Sequence, residues 1–298
     1  MPPSPSGWRG WTSTRSTVAD AVVPVGDRLA VLGSPIAHSK SPALHAAAYA
    51  ALGLDWSYER HEVDADGLDA FLDGPAGAWR GLSLTMPLKA RALSRADELD
   101  MIAEQTGAVN TLVFAADGRS TGFNTDVAGL VAAIAEAGVH SARHVVILGA
   151  GATASSAIVA AADLGAEHVH LAVRNLARGH DLDGLSASLG LTHAVSTFDE
   201  LDDVAGELVI STLPGGTVLE AGIPLGLQRD ALLFDVAYDP WPSALAMSWL
   251  KRGGRVASGT GMLLHQALVQ VRIFVSGDPL VPLPDEAAVL AAMRAAIS

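Results

Sequence analysis

Lys89 and Asp126 are the two ionisable residues whose setting in the sequence most suggests chemistry. Lys89 follows Thr85-Met-Pro-Leu in or near the first turn of a predicted helix, where the dipole opposes an ammonium group. As a plain surface lysine it would cost that helix end only about 0.3–1 kcal/mol. Asp126 follows Asn124-Thr125 at the start of another predicted helix, where an acid also serves as an ordinary cap. Brought together, an amine and a carboxyl form an acid–base couple suited to interconverting a carbonyl and an alcohol, each holding the charge state of the other. Ser39 and Ser41 flank Lys40 ahead of Pro42, so their hydroxyls and free helix N–H groups suit a small carboxylate. Read alone, Ser41 is a helix N-cap, a duty that Ser39 does not share.

A second constellation reads as a nucleotide site. Val145-Val-Ile-Leu148 is an apolar strand that runs straight into Gly149-Ala150-Gly151-Ala152-Thr-Ala154 and a helix of small residues. Gly149 permits the tight turn, Gly151 lets the backbone approach a pyrophosphate, and Ala154 keeps helix against strand. An ordinary tight strand-to-helix turn would use the same glycines. The next strand ends at Val173-Arg174-Asn175, where an NAD-binding chain carries an acid for the ribose hydroxyls. Arg174, with Arg178 one helical turn on, offers a guanidinium pair matched to a 2′-phosphate, which points to NADP. The competing reading is two solvated arginines on a helix edge.

These residues need a scaffold, and the pattern of the chain supplies one. Leu29–Leu32, Trp56–Val63 and Gly81–Leu84 read as strands, with helices predicted from Ser41 to Gly53, from Gly67 to Asp73 and after Pro87. Ala116-Asp-Gly118 marks a hairpin between the extended segments 108–114 and 120–124. After a helix from Asp126 to Gly138, strands at 144–148, 168–173, 208–211, 232–236 and 255–257 alternate with helices at 155–164, 182–189 and 242–251. That rhythm predicts an α/β protein whose second domain is a doubly wound, Rossmann-like parallel sheet. The boundaries drawn from it are a leader at 1–27, a substrate-binding and catalytic domain at 28–126 completed by the helices of 260–298, and a nucleotide domain at 127–259.

Composition narrows the partners. With 19 Lys+Arg against 32 Asp+Glu, a net charge of −13 argues against nucleic acid. The 298 residues suggest two domains, and a 50% hydrophobic, 17% charged composition supports a sizeable core. The apolar stretches at 127–137 and 145–173 are interrupted by Glu136, Asp163 and Glu167, so no membrane span is predicted. Without cysteine there is neither a disulfide framework nor a thiolate ligand, and a reducing cytoplasm fits. His168 and His170 share a strand face, but no third ligand is identifiable and no metal site is predicted. Pro2, Pro3, Pro5, Arg9 and Arg15 lack the apolar centre of a secretory signal and read as a disordered leader, with Trp8 and Trp11 leaving a docking role open.

Taken together and in order, Gly33-Ser-Pro-Ile-Ala-His-Ser39-Lys-Ser41-Pro-Ala-Leu-His45, Leu84-Thr85-Met-Pro-Leu-Lys89, Ala108-Val-Asn110-Thr, Gly122-Phe-Asn124-Thr-Asp126, Gly149-Ala-Gly151 and Gly261-Met-Leu-Leu-His-Gln266 closely resemble the shikimate dehydrogenase family. The resemblance covers nearly everything after residue 28. It implies reversible NADPH-dependent reduction of 3-dehydroshikimate to shikimate on the way to chorismate and the aromatic amino acids, in a monomer or homodimer. It further implies that Ser39 and Ser41 bind the substrate carboxylate, that Thr85, Asn110 and Gln266 meet the ring hydroxyls, and that Lys89 and Asp126 are the catalytic couple. Tyr238 is similar to a family tyrosine near the substrate, and Gly259 to the glycine against the nicotinamide. Ser83 departs from a usual Asn, Ala152-Thr153 from Gly-Ala, and Val173 from an Asn before the arginine. Rival readings are a relative preferring quinate or an amino-substituted ring with NAD(P), and a dinucleotide-binding regulator without catalysis.

Overall fold

The computed structural model describes residues 26–74, 79–202, 204–219 and 223–298, so nearly all of the predicted leader, Trp8 and Trp11 included, lies outside the described residues. The chain divides into two units: one runs to Gly129 and resumes at Leu263–Ser298, and the other is Leu130–Met262.

In the first unit, β1 (Arg28–Gly33), α1 (Ser41–Leu52), β2 (Ser57–Glu62), α2 (Leu68–Leu72), β3 (Gly81–Leu84) and α3 (Lys89–Leu93) follow the predicted order. Next come β4 (Glu98–Leu99), α4 (Met101–Thr106), β5 (Thr111–Phe114), β6 (Ser120–Phe123) and α5 (Asp126–Glu136). The sheet order is β2-β1-β3-β5-β6-β4, with β1 parallel to β2 and β3, and β5 antiparallel to both neighbours across the predicted hairpin. Leu29–Gly33 is buried at every position, as a central strand covered on both faces requires.

The start of α1 differs from the sequence expectation. The helix begins one residue early, with Lys40 at the N-cap and Ser41 already helical, and it is the Ser39 Oγ that accepts the Ser41 N–H, at 3.3 Å. The capping duty assigned to Ser41 therefore falls to Ser39. The short pieces β4 and α4 carry too little hydrophobic periodicity to be read from sequence. An Asp100 cap and the pairing of β4 with β6 hold them.

The second unit contains β7 (His144–Leu148), α6 (Ala152–Asp163), β8 (His168–Val173), α7 (Leu176–His180), α8 (Asp183–Ser188) and β9 (Thr192–Thr197). It continues with β10 (Leu208–Ser211), α9 (Leu225–Asp230), β11 (Leu232–Asp235), α10 (Ala244–Lys251) and β12 (Arg255–Ser258). Every strand pair is parallel, in the order β12-β11-β10-β7-β8-β9, which is the doubly wound order 6-5-4-1-2-3. The edge strand β9, with only Ser196 fully buried, lacks the apolar run that revealed its neighbours, and the sequence reading missed it along with α9.

Two helices end the chain, α11 (Thr260–Ser276) and α12 (Glu286–Ala295). Phe274, Leu264, Val289 and Met293 join Leu29, Leu44 and Tyr49 in one core cluster of the first unit. Gly81 lets α11 approach β3: a Cβ there would stand 2.5 Å from the Phe274 ring and 2.8 Å from the Leu112 carbonyl oxygen. Two residues along β3 and four back along α11, the same faces bring Ser83 to Gln270. No described helix is long and apolar enough to cross a membrane.

Candidate active site

Each member of the Lys89–Asp126 pair opens a helix. Lys89 is the first residue of α3, and its Nζ donates to Asp126 Oδ2 at 2.5 Å, with both side chains largely shielded from solvent. An ammonium opposed by its own helix dipole is thus held by a carboxylate that its helix dipole favours. Asp126 is free for this because Asn124 takes over the capping: its Oδ1 accepts the Asp126 N–H at 2.9 Å, and its Nδ2 donates to Thr106 Oγ1 at 2.8 Å. The other carboxylate oxygen, Oδ1, receives Asn110 Nδ2 at 2.8 Å. Asp126 therefore has a positive donor on one oxygen and an amide donor on the other, an arrangement that fixes its orientation.

Asn110 also accepts at Oδ1 from the Thr125 N–H (3.0 Å) and the Thr111 hydroxyl (2.9 Å). Gln266 joins this group through Thr125, whose Oγ1 donates to Gln266 Oε1 at 3.3 Å, while Gln266 Nε2 donates to the Leu263 carbonyl. The structure thus links Lys89, Asp126, Asn110 and Gln266 in one hydrogen-bonded cluster. Thr85 reaches the start of α3 only through its backbone, its carbonyl accepting the Leu88 N–H. Ser39 and Ser41 are linked to each other, and the Ser41 hydroxyl, not itself enclosed, makes no hydrogen bond among the described residues. Such a hydroxyl suits an anionic ligand group. Behind Asn124, Asp100 caps α4 through the Ala103 N–H and accepts the Asn124 N–H, and burial pushes its carboxyl up to about 7.

Ser83, noted in the sequence for standing in place of Asn, is wholly engaged: it accepts from the Tyr58 hydroxyl at 2.7 Å and donates to Gln270 Oε1 at 3.0 Å. Tyr58, His45, Thr111 and Gln270 were not singled out as site residues from sequence. The one available signal was the position of Gln270, a helical turn after Gln266.

Tyr238 and Gly259 belong to the other unit. Tyr238 is half-buried, and burial, with Asp239 beside it, raises its phenol above the ordinary range. Gly259 packs on the Val236 carbonyl so closely that a Cβ would lie 1.9 Å from its oxygen, so the chain itself requires glycine there.

The glycine turn of this unit fits a dinucleotide. Gly149 has φ +111° and lies under Thr212, whose Oγ1 would be 2.5 Å from a Cβ. Gly151 is the N-cap of α6 and contributes no side-chain cap, and a Cβ built on it meets nothing within 4 Å. The loop Gly149-Ala150-Gly151-Ala152 thus presents open backbone at a helix N-terminus, as phosphate binding requires. Ala154 is fully buried where helix meets strand. Past β8, Asn175 caps α7 through the Ala177 N–H, leaving Arg174 exposed without a carboxylate partner among the described residues. Arg178 is exposed too, with Asp181 at 3.9 Å. Positive groups and no acid at this point fit a 2′-phosphate.

The class these features define is that of two-domain nicotinamide-dinucleotide-dependent oxidoreductases acting on a CH–OH group. Comparison with known proteins narrows it. Residues 31–112 match the shikimate dehydrogenase substrate binding domain. A shikimate dehydrogenase (NADP(+)) of Caulobacter vibrioides is 37% identical over 245 residues, 80% of this chain and 86% of that protein. The crystal structure of Mycobacterium tuberculosis shikimate dehydrogenase shares 39% identity at a TM-score of 0.77, covering 91% of this chain and 100% of that one. A quinate dehydrogenase from Corynebacterium glutamicum, in complex with NAD, shares 28% at a TM-score of 0.77, covering 91% and 98%. The chain belongs to the shikimate dehydrogenase family.

Proposed function

We propose that the protein catalyses the reversible NADPH-dependent reduction of 3-dehydroshikimate to shikimate, as a cytoplasmic enzyme acting on small molecules. The observation that carries this reading is the Lys89–Asp126 contact, braced by Asn110, in a chain whose similar proteins include an NADP(+)-dependent shikimate dehydrogenase. The Gly149–Ala152 turn, with Arg174 and Arg178 for the 2′-phosphate, would hold NADP, which in its reduced form would supply a hydride. The substrate ketone carbon gains the hydride pair, the C=O π pair moves to oxygen, and a proton completes the alcohol. Lys89 places its ammonium against that oxygen, stabilises the growing negative charge and, with Asp126, supplies the proton. In the reverse direction the same pair accepts the proton from the alcohol. Ser39 and Ser41 bind the ring carboxylate, Thr85, Asn110 and Gln266 its hydroxyls, with Tyr238 beside the substrate and Gly259 against the nicotinamide.

Steady-state assays at 340 nm with shikimate and quinate, each with NADP and NAD, test the reading. Shikimate with NADP gives the highest kcat/KM of the four. The similarity to an NAD-bound quinate dehydrogenase makes quinate with NAD the alternative, and a larger kcat/KM for that combination replaces the proposal. A flat trace in all four assays removes it.

A further inference from the structure

Gln270 lies outside the residues so far given a role, yet it is 2% exposed and makes four hydrogen bonds. Its Nε2 donates to Thr111 Oγ1 at 2.9 Å and to the Asn110 carbonyl at 3.2 Å; its Oε1 faces the Ser83 hydroxyl at 3.0 Å and His45 Nε2 at 3.3 Å. The direction of every bond in this group follows from one atom. A carbonyl oxygen can only accept, so the Gln270 amide must turn its nitrogen to Asn110 and its oxygen to Ser83 and His45. His45 must then donate from Nε2 and accept at Nδ1 from the Tyr49 hydroxyl, 3.1 Å away. This neutral ring suits the site: His45 is fully buried and stacked on Tyr58 at 3.9 Å, and burial lowers its pKa to about 3.

On the other side of Gln270 the order continues to the catalytic pair. Thr111 Oγ1 accepts from Gln270 and so gives its own proton to Asn110 Oδ1, at 2.9 Å. With its oxygen taken by the Thr111 hydroxyl and the Thr125 N–H, the Asn110 amide must aim its NH2 at Thr125 Oγ1 and at Asp126 Oδ1. All of these residues lie in the first unit.

We infer that Gln270 is a positioning residue for the Lys89–Asp126 couple, acting through Thr111, together with the Thr125 N–H, to hold the Asn110 NH2 against the Asp126 carboxylate. The inference rests on the proposed dehydrogenase reading for its kinetic consequence and on hydrogen-bond direction alone for its structural one. Gln270→Glu keeps an acceptor for Ser83 and His45 and loses the donor to Thr111. Thr111→Val keeps the shape and loses the relay hydroxyl.

The test is the NMR signal and solvent exchange of the Asn110 side-chain amide in full-length wild type and both variants, with steady-state kinetics alongside. In both variants the Asn110 side-chain NH2 signals shift and exchange with solvent faster, because that amide is held less firmly. With shikimate and NADP, kcat falls on the order of 10- to 100-fold, as for a misplaced catalytic group. The KM for NADP stays within about twofold, since the relay does not touch the glycine turn. A loss of thermal stability with unchanged Asn110 amide signals would show a purely structural role and overturn the inference. If Gln270→Glu fails to fold, Thr111→Val decides by the same measurement. An inactive wild type would end the proposed function and leave the Asn110 amide signals to judge Gln270 independently.

Discussion

The Lys89–Asp126 cluster and the Gly149–Ala152 turn are built in opposite ways, and the proposed roles would ask opposite things of them. Around Lys89 and Asp126, side chains are richly partnered: Asn110, Asn124, Thr111, Thr125 and Gln270 bond one another or Asp126, Thr106, Ser83 and His45. Around Gly149–Ala152, backbone geometry does the work, and the charged side chains of Arg174 and Arg178 stand out in solvent. The contrast follows from the chemistry asked of each region. A proton must be delivered to one atom of a ring, which demands a fixed donor; a phosphate presents many equivalent oxygens and is satisfied by N–H groups and mobile positive charge.

Single substitutions can break this contrast at either end. The largest effect belongs to Lys89→Ala, which removes the charged donor from a site whose other members cannot replace it. Its kcat falls by about 10²–10³ while the KM for shikimate changes much less, read from steady-state kinetics. Equal losses in both would make Lys89 a binding residue only. On the nucleotide side, Gly149→Ala forces a side chain into positive φ and against Thr212 Oγ1. Strain of about 1–3 kcal/mol lowers Tm by several degrees and raises the Kd for NADP in a fluorescence titration. An unchanged Kd would show that the turn tolerates a Cβ.

How legible each region was in the sequence follows the same divide. The glycine turn, the strand before it and the helix after it span 20 consecutive residues, from His144 to Asp163, so local pattern sufficed. The sequence also placed Lys89 and Asp126 at helix starts, since a Pro-x-Lys step and an Asn-Thr-Asp step are local signals. It could not show that Asn124 would free Asp126 from capping, because Asp, Asn and Thr all cap helices and nothing local ranks them. Gln270 was illegible for a different reason: its partners are 160, 159, 187 and 225 residues away, and only the packing of α11 on Gly81 brings them together. The early start of α1, which gave Ser39 the role expected of Ser41, is the one-residue ambiguity typical of helix ends.

A milder change sharpens the nucleotide side. Arg174 is exposed and makes no ion pair among the described residues, so Arg174→Ala leaves the fold intact. A lost charge-assisted contact to a 2′-phosphate, worth about 1.5 kcal/mol, raises the KM for NADPH roughly tenfold. Any NADH activity stays nearly unchanged, because NADH lacks that phosphate. Unaltered NADPH kinetics would assign Arg174 to the solvated surface.

The smallest effect probes what the richly partnered side conceals, its buried titratable groups. Asp100 is held by backbone N–H groups alone, and its carboxyl is raised from 3.8 to about 7, largely by burial. Between those values the folded chain binds a proton that the unfolded chain has released, so this group makes stability fall as pH rises from about 4 to 7. His45 runs the other way: with its pKa lowered from 6.5 to about 3, it makes stability fall on acidification through that window. Asp100→Asn keeps a cap of equal quality for α4 and removes only the carboxyl titration. In thermal melts the variant matches wild type near pH 4 and gains a few degrees over it by pH 8, the gap opening between 4 and 7. A gap of constant size across that range would mean that the Asp100 carboxyl does not titrate there, and that the cluster behind Asp126 pays nothing for burying it.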